Sequence, residues 1–224
     1  MNSIVSLSGG MDSATVLSYA MAQSNVVGAI GFTYGSKHNF YENAAAVDVC
    51  EKAGLAYELI DLSNVATHLQ SNLLKSGGDI PEGHYEEKSM EATVVPGRNI
   101  IFASILAGIA WTRGASEVYL GIHSGDHAIY ADCRKNFLRS MGRAMMDGTD
   151  GRVGLRAPFI DLDKAKILQE GFRLGTPYHL TRTCYKDQKV ACGKCGACQE
   201  RLEAWASLGK EDPIEYESRE ILSK

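Results

Sequence analysis

The sequence lacks several features that would each indicate a class of protein. No stretch approaches the roughly 20 apolar residues of a membrane-spanning helix, so we expect no contact with a membrane. Basic residues are not in excess, because 23 lysines and arginines stand against 27 acidic residues and give a net charge of −4. A nucleic-acid-binding protein usually carries a basic excess, so direct nucleic-acid binding is not expected. Repeats and low-complexity tracts are also absent.

A signal-peptide pattern is missing as well, because the strand-like pair Ile4 and Val5 follows the first residues directly. We therefore expect a cytoplasmic protein whose six cysteines are reduced. The composition, 45% hydrophobic and 22% charged, is that of an ordinary globular protein. We predict one α/β domain over residues 1–180, with a smaller C-terminal segment over residues 181–224 packed on it.

Strand-like runs alternate with helical patterns along the first half of the chain. We predict strands at 4–7, 26–34, 57–60 and 117–122, separated by helices at 13–23, 41–53 and 99–111. This order predicts a doubly wound, Rossmann-like parallel sheet, in which ligands bind where the strands end. Residues 63–95 break the alternation and are interpreted as an insertion or a mobile flap. Residues 125–150 have a helical middle and a Gly/Asp-rich end.

The segment from Ser8 to Ser13, with the sequence Ser-Gly-Gly-Met-Asp-Ser, connects the first strand to the first helix. Its two glycines allow successive backbone N–H groups to point inward, and the following helix contributes its positive N-terminus. The hydroxyls of Ser8 and Ser13 are placed to donate to anionic oxygens, and the Asp12 carboxylate is placed to hold Mg²⁺. The Gly-Lys-Ser/Thr ending of a P-loop is missing. This spacing predicts a phosphate-binding loop of another kind.

Four cysteines near the C-terminus have metal-ligand spacing. They follow the pattern C-x7-C-x2-C-x2-C and are Cys184, Cys192, Cys195 and Cys198. Thiolates two residues apart converge on one ion, and the upstream cysteine completes a tetrahedron. We expect structural Zn²⁺ here, followed by a helix over about 198–208. An iron–sulfur cluster is the alternative that the spacing leaves open.

The loop resembles the pyrophosphate-binding loop (PP-loop) of the N-type ATP pyrophosphatases. Together with the cysteine tail, nearly the whole chain resembles the 7-cyano-7-deazaguanine synthase family. Further matching segments are Tyr34-Gly-Ser-Lys-His38, Val95-Pro-Gly-Arg-Asn99, Tyr130-Ala-Asp-Cys-Arg134, Ala157-Pro-Phe-Ile-Asp161 and Leu174-Gly-Thr-Pro-Tyr178.

The resemblance implies an ATP-dependent ligase with Mg²⁺ and Zn²⁺ that converts 7-carboxy-7-deazaguanine and free ammonia to the nitrile 7-cyano-7-deazaguanine (preQ0). Adenylation turns a carboxylate oxygen into a leaving group, ammonia then gives an amide, and a second activation removes the amide oxygen. A homodimer is also implied. The use of the product in tRNA, DNA or secondary metabolism is left open.

The resemblance also implies roles for individual residues. Leu7, Ser8, Gly9, Gly10, Met11, Asp12 and Ser13 would bind ATP, with Thr33, Tyr34 and Gly35 at the adenine or ribose. Lys37 would neutralise phosphate or carboxylate charge. Arg98 would meet an anion, because an unpaired cation is disfavoured at a helix start. Asp132 would accept from the guanine-like ring and Arg134 would bind the substrate carboxylate, unless the two are a helix N-cap and its neighbour.

One region departs from the family's pattern. Residues 121–127 place His123, Asp126 and His127 in the loop expected to face the substrate, where imidazoles could transfer protons. Cys133 is a possible nucleophile, although the sequence places no base beside it. Three alternatives remain open: an amide-forming 7-deazaguanine amidotransferase, a tRNA-thiolating PP-loop enzyme, and a zinc-knuckle binding module whose nucleotide site is regulatory.

Overall fold

Five parallel strands form the central sheet. The structure is a computed structural model that describes residues 1–123 and 129–222. The strands lie in the order β3-β2-β1-β4-β5. Their bounds are β1 Asn2–Ser6, β2 Asn25–Thr33, β3 Tyr57–Asp61, β4 Glu117–Tyr119 and β5 Gly154–Arg156. The predicted parallel sheet is confirmed. The sequence did not reveal β5, because a strand of three partly exposed residues has no hydrophobic alternation.

Seven helices pack around the sheet in the described part of the chain. They are α1 Met11–Gln23, α2 Asn39–Ala53, α3 Ser63–Ala66, α4 Arg98–Thr112, α5 Lys135–Gly148, α6 Lys164–Leu174 and α7 Gly196–Ser207. Short 3-10 helices lie at Lys88–Thr93, Ala131–Cys133 and Tyr178–Leu180. The predicted helices correspond to α1, α2, α4 and α7, and the helical middle of 125–150 to α5. The helix α6 was not predicted.

The strand order reverses at β1, which lies between β2 and β4. In an open α/β sheet, a crevice forms at such a reversal, beyond the carboxyl ends of the strands. The loop after β1 lies there, between Tyr34 after β2 and Gly121 after β4. Close packing brings the β4 end to the loop, since a Cβ on Gly121 would lie 3.0 Å from the backbone of Ser13. The topology therefore places the Ser-Gly-Gly segment where a ligand is expected.

Residues 63–95 pack on the body of the protein, which corrects their interpretation as a flap. Leu73, Leu74 and Met90 are buried. The Gly83 amide donates to the Lys194 carbonyl, which joins this segment to the cysteine-rich region. The weak periodicity of the segment reflects its build from turns and 3-10 helix rather than an exposed position.

The C-terminal residues are held by a buried ion pair. Arg201 on α7 and Asp212 are both fully buried, with Arg201 Nε 2.6 Å from an Asp212 oxygen. Arg201 also donates to the Tyr178 carbonyl and to the hydroxyl of Thr181. Breaking such a pair leaves an uncompensated charge and costs about 3–5 kcal/mol. The predicted boundary at residue 180 stays a prediction.

Helical residues Lys88–Thr112 are long and apolar enough to cross a membrane by length and composition alone. Within the described residues this is the one such stretch, and the core helix of a soluble protein passes the same test. The chain turns inside it, since Gly97 has φ +68°. In α4, Ala103, Leu106 and Ala110 are buried against the sheet. The stretch is therefore interpreted as a core helix.

Candidate active site

Ser13 organises the loop between β1 and α1. Its hydroxyl donates to the Gly10 carbonyl at 3.1 Å and accepts from the Ser8 amide at 3.2 Å. The hydroxyls of Ser8 and Ser13 are 3.1 Å apart. These bonds hold the loop open around the first turn of α1, whose N–H groups have no helical acceptors. The loop therefore has the geometry of an anion cradle.

Gly9 turns the chain through the left-handed region, with φ +86°. A Cβ at this position would lie 2.2 Å from the Glu42 carbonyl oxygen and 2.7 Å from the Ala46 amide nitrogen. Both neighbours belong to the backbone of α2, so they cannot rotate away. The close approach of α2 therefore requires glycine here.

We expect Gly9→Ala to weaken ATP binding at least about 100-fold, because the loop must move to relieve the contact. Gly54→Ala is the matched control. Gly54 also has a positive φ, +70°, but a Cβ there meets nothing within 4 Å. Isothermal titration with a non-hydrolysable ATP analogue measures both variants. Equal affinities for the two would show that the approach to α2 does not shape the cradle.

A cavity of about 200 Å³ opens above the cradle. The loop, the ends of β2 and β4, and the starts of α2 and α4 form its walls. The C-terminal cysteine-rich segment closes one side with Thr183, Tyr185, Ala197 and Glu200. Of the residues predicted from the sequence, the cavity brings together Leu7, Ser8, Gly10, Met11, Asp12, Ser13, Tyr34 and Arg98.

Lys164 is the buried cation beside the cradle. Its Nζ lies 3.0 Å from Asp12 Oδ2 and 2.7 Å from Glu200 Oε2. Burial opposes its charge, but the two carboxylates raise the pKa of Lys164, so it is positive at neutral pH. The imidazole of His123 lies 3.9 Å from Asp12 and 3.8 Å from Glu200. Asp12, His123, Lys164 and Glu200 form one charged cluster, which connects the loop to α6 and α7.

Arg98 begins α4 and faces the same cavity. Its guanidinium donates to the Tyr34 hydroxyl at 3.2 Å. No ion pair within residues 1–123 and 129–222 includes Arg98. Burial opposes its charge, but nearby Tyr34 and Cys133 raise the pKa of Arg98. A permanent cation without a carboxylate partner in the described chain is suited to an anionic ligand.

Two further ionisable residues, the N-cap residue of α2 and one in its first turn, line the cavity without carrying charge. Burial lowers the pKa of His38 to about 3, so its imidazole is neutral. Burial raises the pKa of Glu42 to about 8, so this carboxyl is protonated at neutral pH. The two side chains lie 3.4 Å apart. A neutral wall adds no repulsion to the phosphates of a nucleotide.

Cys133 also lines the cavity, but its environment does not favour a nucleophile. Burial and the neighbouring Asp132 raise the pKa of the Cys133 thiol to about 12. A nucleophilic cysteine needs its thiolate form at working pH. The thiol is therefore protonated, because Arg98 and the Asn99 amide, which lower its pKa, do not offset burial and Asp132.

Several predicted site residues lie outside the lining of this cavity. Asp132 Oδ2 accepts from the Asn99 amide at 3.0 Å, so it caps α4 from another part of the chain. Arg134 is exposed at the N-cap of α5. Lys37 donates to the Gly78 carbonyl and so fixes the 63–95 segment. Thr33 and Gly35 flank Tyr34 without lining the cavity. Gly9 belongs to the loop, but it lies against α2 and does not line the cavity either. Asp126 and His127 lie outside the described residues.

The four cysteine sulfurs form a compact group. All four residues are buried, and their sulfurs lie within 4.8 Å of one another. Backbone amides of Lys186 and Cys192 donate to Cys184 Sγ at 3.4 Å, which suits a thiolate. One ion with bonds of about 2.3 Å to each sulfur needs sulfurs this close. The predicted grouping of the four cysteines is confirmed.

Lys164 and Glu200 were not found by sequence analysis. Lys164 follows the N-cap Asp163 directly, and a cation at a helix start opposes the helix dipole. The same reasoning singled out Arg98 and would have singled out Lys164. No sequence pattern marks Glu200 as a site residue. It reaches the cavity only because the cysteine segment folds so that α7 lies beside it.

Comparison with known proteins shows which family the chain belongs to. The model of the family described as "Queuosine biosynthesis protein QueC" matches residues 2–209. A curated 7-cyano-7-deazaguanine synthase from Marinobacter nauticus is 46% identical over 214 residues, covering 96% of each chain. One from Caldicellulosiruptor saccharolyticus is 43% identical over 217 residues, covering 97% of this chain and 96% of its own. The chain belongs to the QueC family.

Solved structures support the fold of this QueC-family chain. A 4-thiouridine synthetase bound to RNA and ATP superposes with a TM-score of 0.54 at 20% identity, over 84% of this chain and 44% of that one. The U34-tRNA thiolase NcsA from Methanococcus maripaludis, with its [4Fe-4S] cluster, superposes with a TM-score of 0.51 at 20% identity, over 95% of this chain and 68% of that one. Such low identity shows the shared fold alone. The thiolase alternative gains nothing from it.

Proposed function

We propose that this chain catalyses the ATP-dependent conversion of 7-carboxy-7-deazaguanine and ammonia to 7-cyano-7-deazaguanine. Its family fixes the class of enzyme, an ATP-dependent ligase of queuosine biosynthesis. The observation that carries the mechanism is one cavity in which an anion cradle, two cations and a carboxylate meet. That arrangement is suited to joining a carboxylate to a nucleotide.

The cradle would hold the ATP phosphates, with the cations Lys164 and Arg98 beside the reacting groups. A substrate carboxylate oxygen attacks the α-phosphorus, and pyrophosphate leaves. Both partners are anions, so fixed cations lower the repulsion between them. Ammonia then displaces AMP to give the amide. A second adenylation, on the amide oxygen, allows loss of AMP and a proton to form the nitrile.

Asp12 is the residue that would hold Mg²⁺. Its Oδ2 pairs with Lys164, whereas its Oδ1 is buried without a hydrogen-bond partner among the described residues. A buried carboxylate oxygen is a suitable ligand for a hard cation. When bound, Mg²⁺ would neutralise charge on the phosphate oxygens.

We expect Lys164→Met to lower the rate of pyrophosphate release about 100-fold, because a fixed positive charge at the reacting groups is lost. Methionine keeps the apolar stem of the side chain. Lys166→Met, an exposed lysine on the same helix, is the control. A rate near that of the wild type for Lys164→Met would remove this residue from the reaction.

Zn²⁺ is our proposal for the cysteine group. One ion satisfies sulfurs that lie within 4.8 Å, whereas a four-iron cluster binds each cysteine to a different iron and spreads the sulfurs further apart. Four thiolates leave no open coordination position, so the ion would be structural. Metal analysis of the purified protein distinguishes zinc from iron.

Ammonia is proposed to enter free from solution, since the chain's matched region carries no glutaminase motif.

We also propose a cytoplasmic homodimer. The outer side of α4 exposes Ile100 (49%) and Trp111 (46%), an apolar surface suited to a second copy. Sedimentation at micromolar concentration distinguishes monomer from dimer.

The amide intermediate separates nitrile synthesis from the amidotransferase alternative. Supplied with the amide of 7-carboxy-7-deazaguanine, Mg-ATP and no ammonia, the enzyme should form the nitrile with one AMP per product. An enzyme that stops at the amide leaves this compound unchanged. That outcome, with turnover of the acid intact, would restrict the activity to the first step.

A further inference from the structure

A second cavity of about 150 Å³ adjoins the one above the phosphate cradle. The two share a boundary formed by residues that include Asp12, Arg98, Lys164 and Glu200. Five residues line only the second cavity: Tyr85, Met90, His123, Tyr130 and Gly196. The nucleotide-binding sheet does not supply them. They come from the 63–95 segment, the region around β4 and α5, and the start of α7.

Three tyrosines give this second cavity aromatic walls, and neighbours hold each of them. Tyr130 shares a hydrogen bond of 2.7 Å with the Thr93 hydroxyl. Tyr185 lies close to Tyr130, and Tyr85 lies close to the Glu203 carboxylate on α7. The Tyr85 ring also lies 4.1 Å from the buried His84 ring. Fixed aromatic rings bind a planar heterocycle at little entropic cost.

The boundary between the cavities holds two carboxylates and two cations, and Lys164 is already paired with Asp12 and Glu200. Arg98 lies there and forms no ion pair with the described residues, since burial raises the pKa of the nearby Glu42 carboxyl to about 8 and keeps it protonated at neutral pH. Asp12 also lies at this boundary, and the rest of the phosphate cradle lines the first cavity. A planar ring in the second cavity would therefore direct a carboxylate substituent at Arg98, next to the position of the α-phosphate.

We propose that the second cavity binds the pyrrolopyrimidine ring of the acid substrate, stacked on Tyr85, with its carboxylate at Arg98. This inference rests on the proposed function and names the site of its second substrate. It replaces the expectation that Asp132 and Arg134 bind the ring and its carboxylate. Neither residue lines either cavity, and Asp132 caps α4.

The test is the affinity of 7-carboxy-7-deazaguanine in the absence of ATP, measured by isothermal titration. Tyr85→Ala should raise its Kd about tenfold, and Tyr85→Phe should keep it within about twofold, because the ring provides the stacking. The Kd of a non-hydrolysable ATP analogue should not change. Tyr19→Ala is the matched control, since Tyr19 is half-buried and packs on Tyr119 and Phe159 outside both cavities.

Tyr130→Leu is the second variant, in case Tyr85→Ala does not fold, and it should also weaken binding of the acid selectively. If these variants bind the acid like the wild type, or weaken the ATP analogue instead, the inference is wrong. Wild-type conversion of the acid would then leave the proposed function standing. If the wild type neither binds nor converts the acid, the proposed function fails together with the inference.

Discussion

Asp12→Ala should reduce pyrophosphate release by about 1,000-fold or more while leaving the fold intact. Asp12 is the only carboxylate of the cradle loop, and its Oδ1 has no other partner among the described residues. Removing it takes away the proposed Mg²⁺ ligand. It also leaves Lys164 paired with Glu200 alone, at 2.7 Å, so the lysine is drawn away from the loop.

The fold should survive because Lys164 keeps one acidic partner and α1 is anchored by its buried side. Asp48→Ala, at an exposed position on α2, is the matched control for loss of an aspartate. Pyrophosphate release and thermal unfolding are measured for both variants. A normal rate from Asp12→Ala would contradict the assignment of the cradle.

Cys195→Ala should abolish metal binding and unfold the C-terminal segment, with loss of activity. The core of this segment consists of the four cysteines and two alanines, which is too little apolar surface to fold alone. Structural zinc contributes about 10–16 kcal/mol in small zinc-dependent domains. Tyr185 and Glu200, which line the active-site cavity, are held by this segment, so activity should be lost with the metal.

Cys50→Ala is the matched control, because Cys50 is a buried cysteine on α2 outside the metal group. It should cost about 1 kcal/mol of stability and leave metal content and activity unchanged. Metal analysis, circular dichroism and turnover are compared for the two variants. A folded, metal-free and active Cys195→Ala would show that the metal has no structural role.

The local features of the site were predictable because short sequences determine them. The order strand, glycine-rich loop, helix specifies a cradle at Ser8–Ser13, and cysteine spacing specifies the metal group. Alternating strand and helix patterns likewise indicated the parallel sheet. In each case neighbours in sequence are also neighbours in space, so pattern and spacing carry the information.

The residues that complete the site were not predictable because tertiary packing brings them there. Lys164 pairs with both Asp12 and Glu200, although Lys164 lies about 150 residues and Glu200 about 190 residues after Asp12 in the chain. Asp132 accepts from the Asn99 amide at the start of α4, which has no side-chain cap of its own, and no local pattern contains this contact. The sequence of residues 63–95 indicated an insertion or a mobile flap, because turns and 3-10 helix leave no periodic signal even where they are buried.

The central claim is that the cradle transfers AMP to oxygen atoms of the substrate. The most direct measurement is mass spectrometry after turnover of 7-carboxy-7-deazaguanine labelled with ¹⁸O in both carboxylate oxygens, with ammonium and Mg-ATP. The account predicts an unlabelled nitrile and two AMP molecules that each carry one labelled oxygen. Label in inorganic phosphate with formation of ADP, or a product that keeps its oxygen atoms, would contradict it.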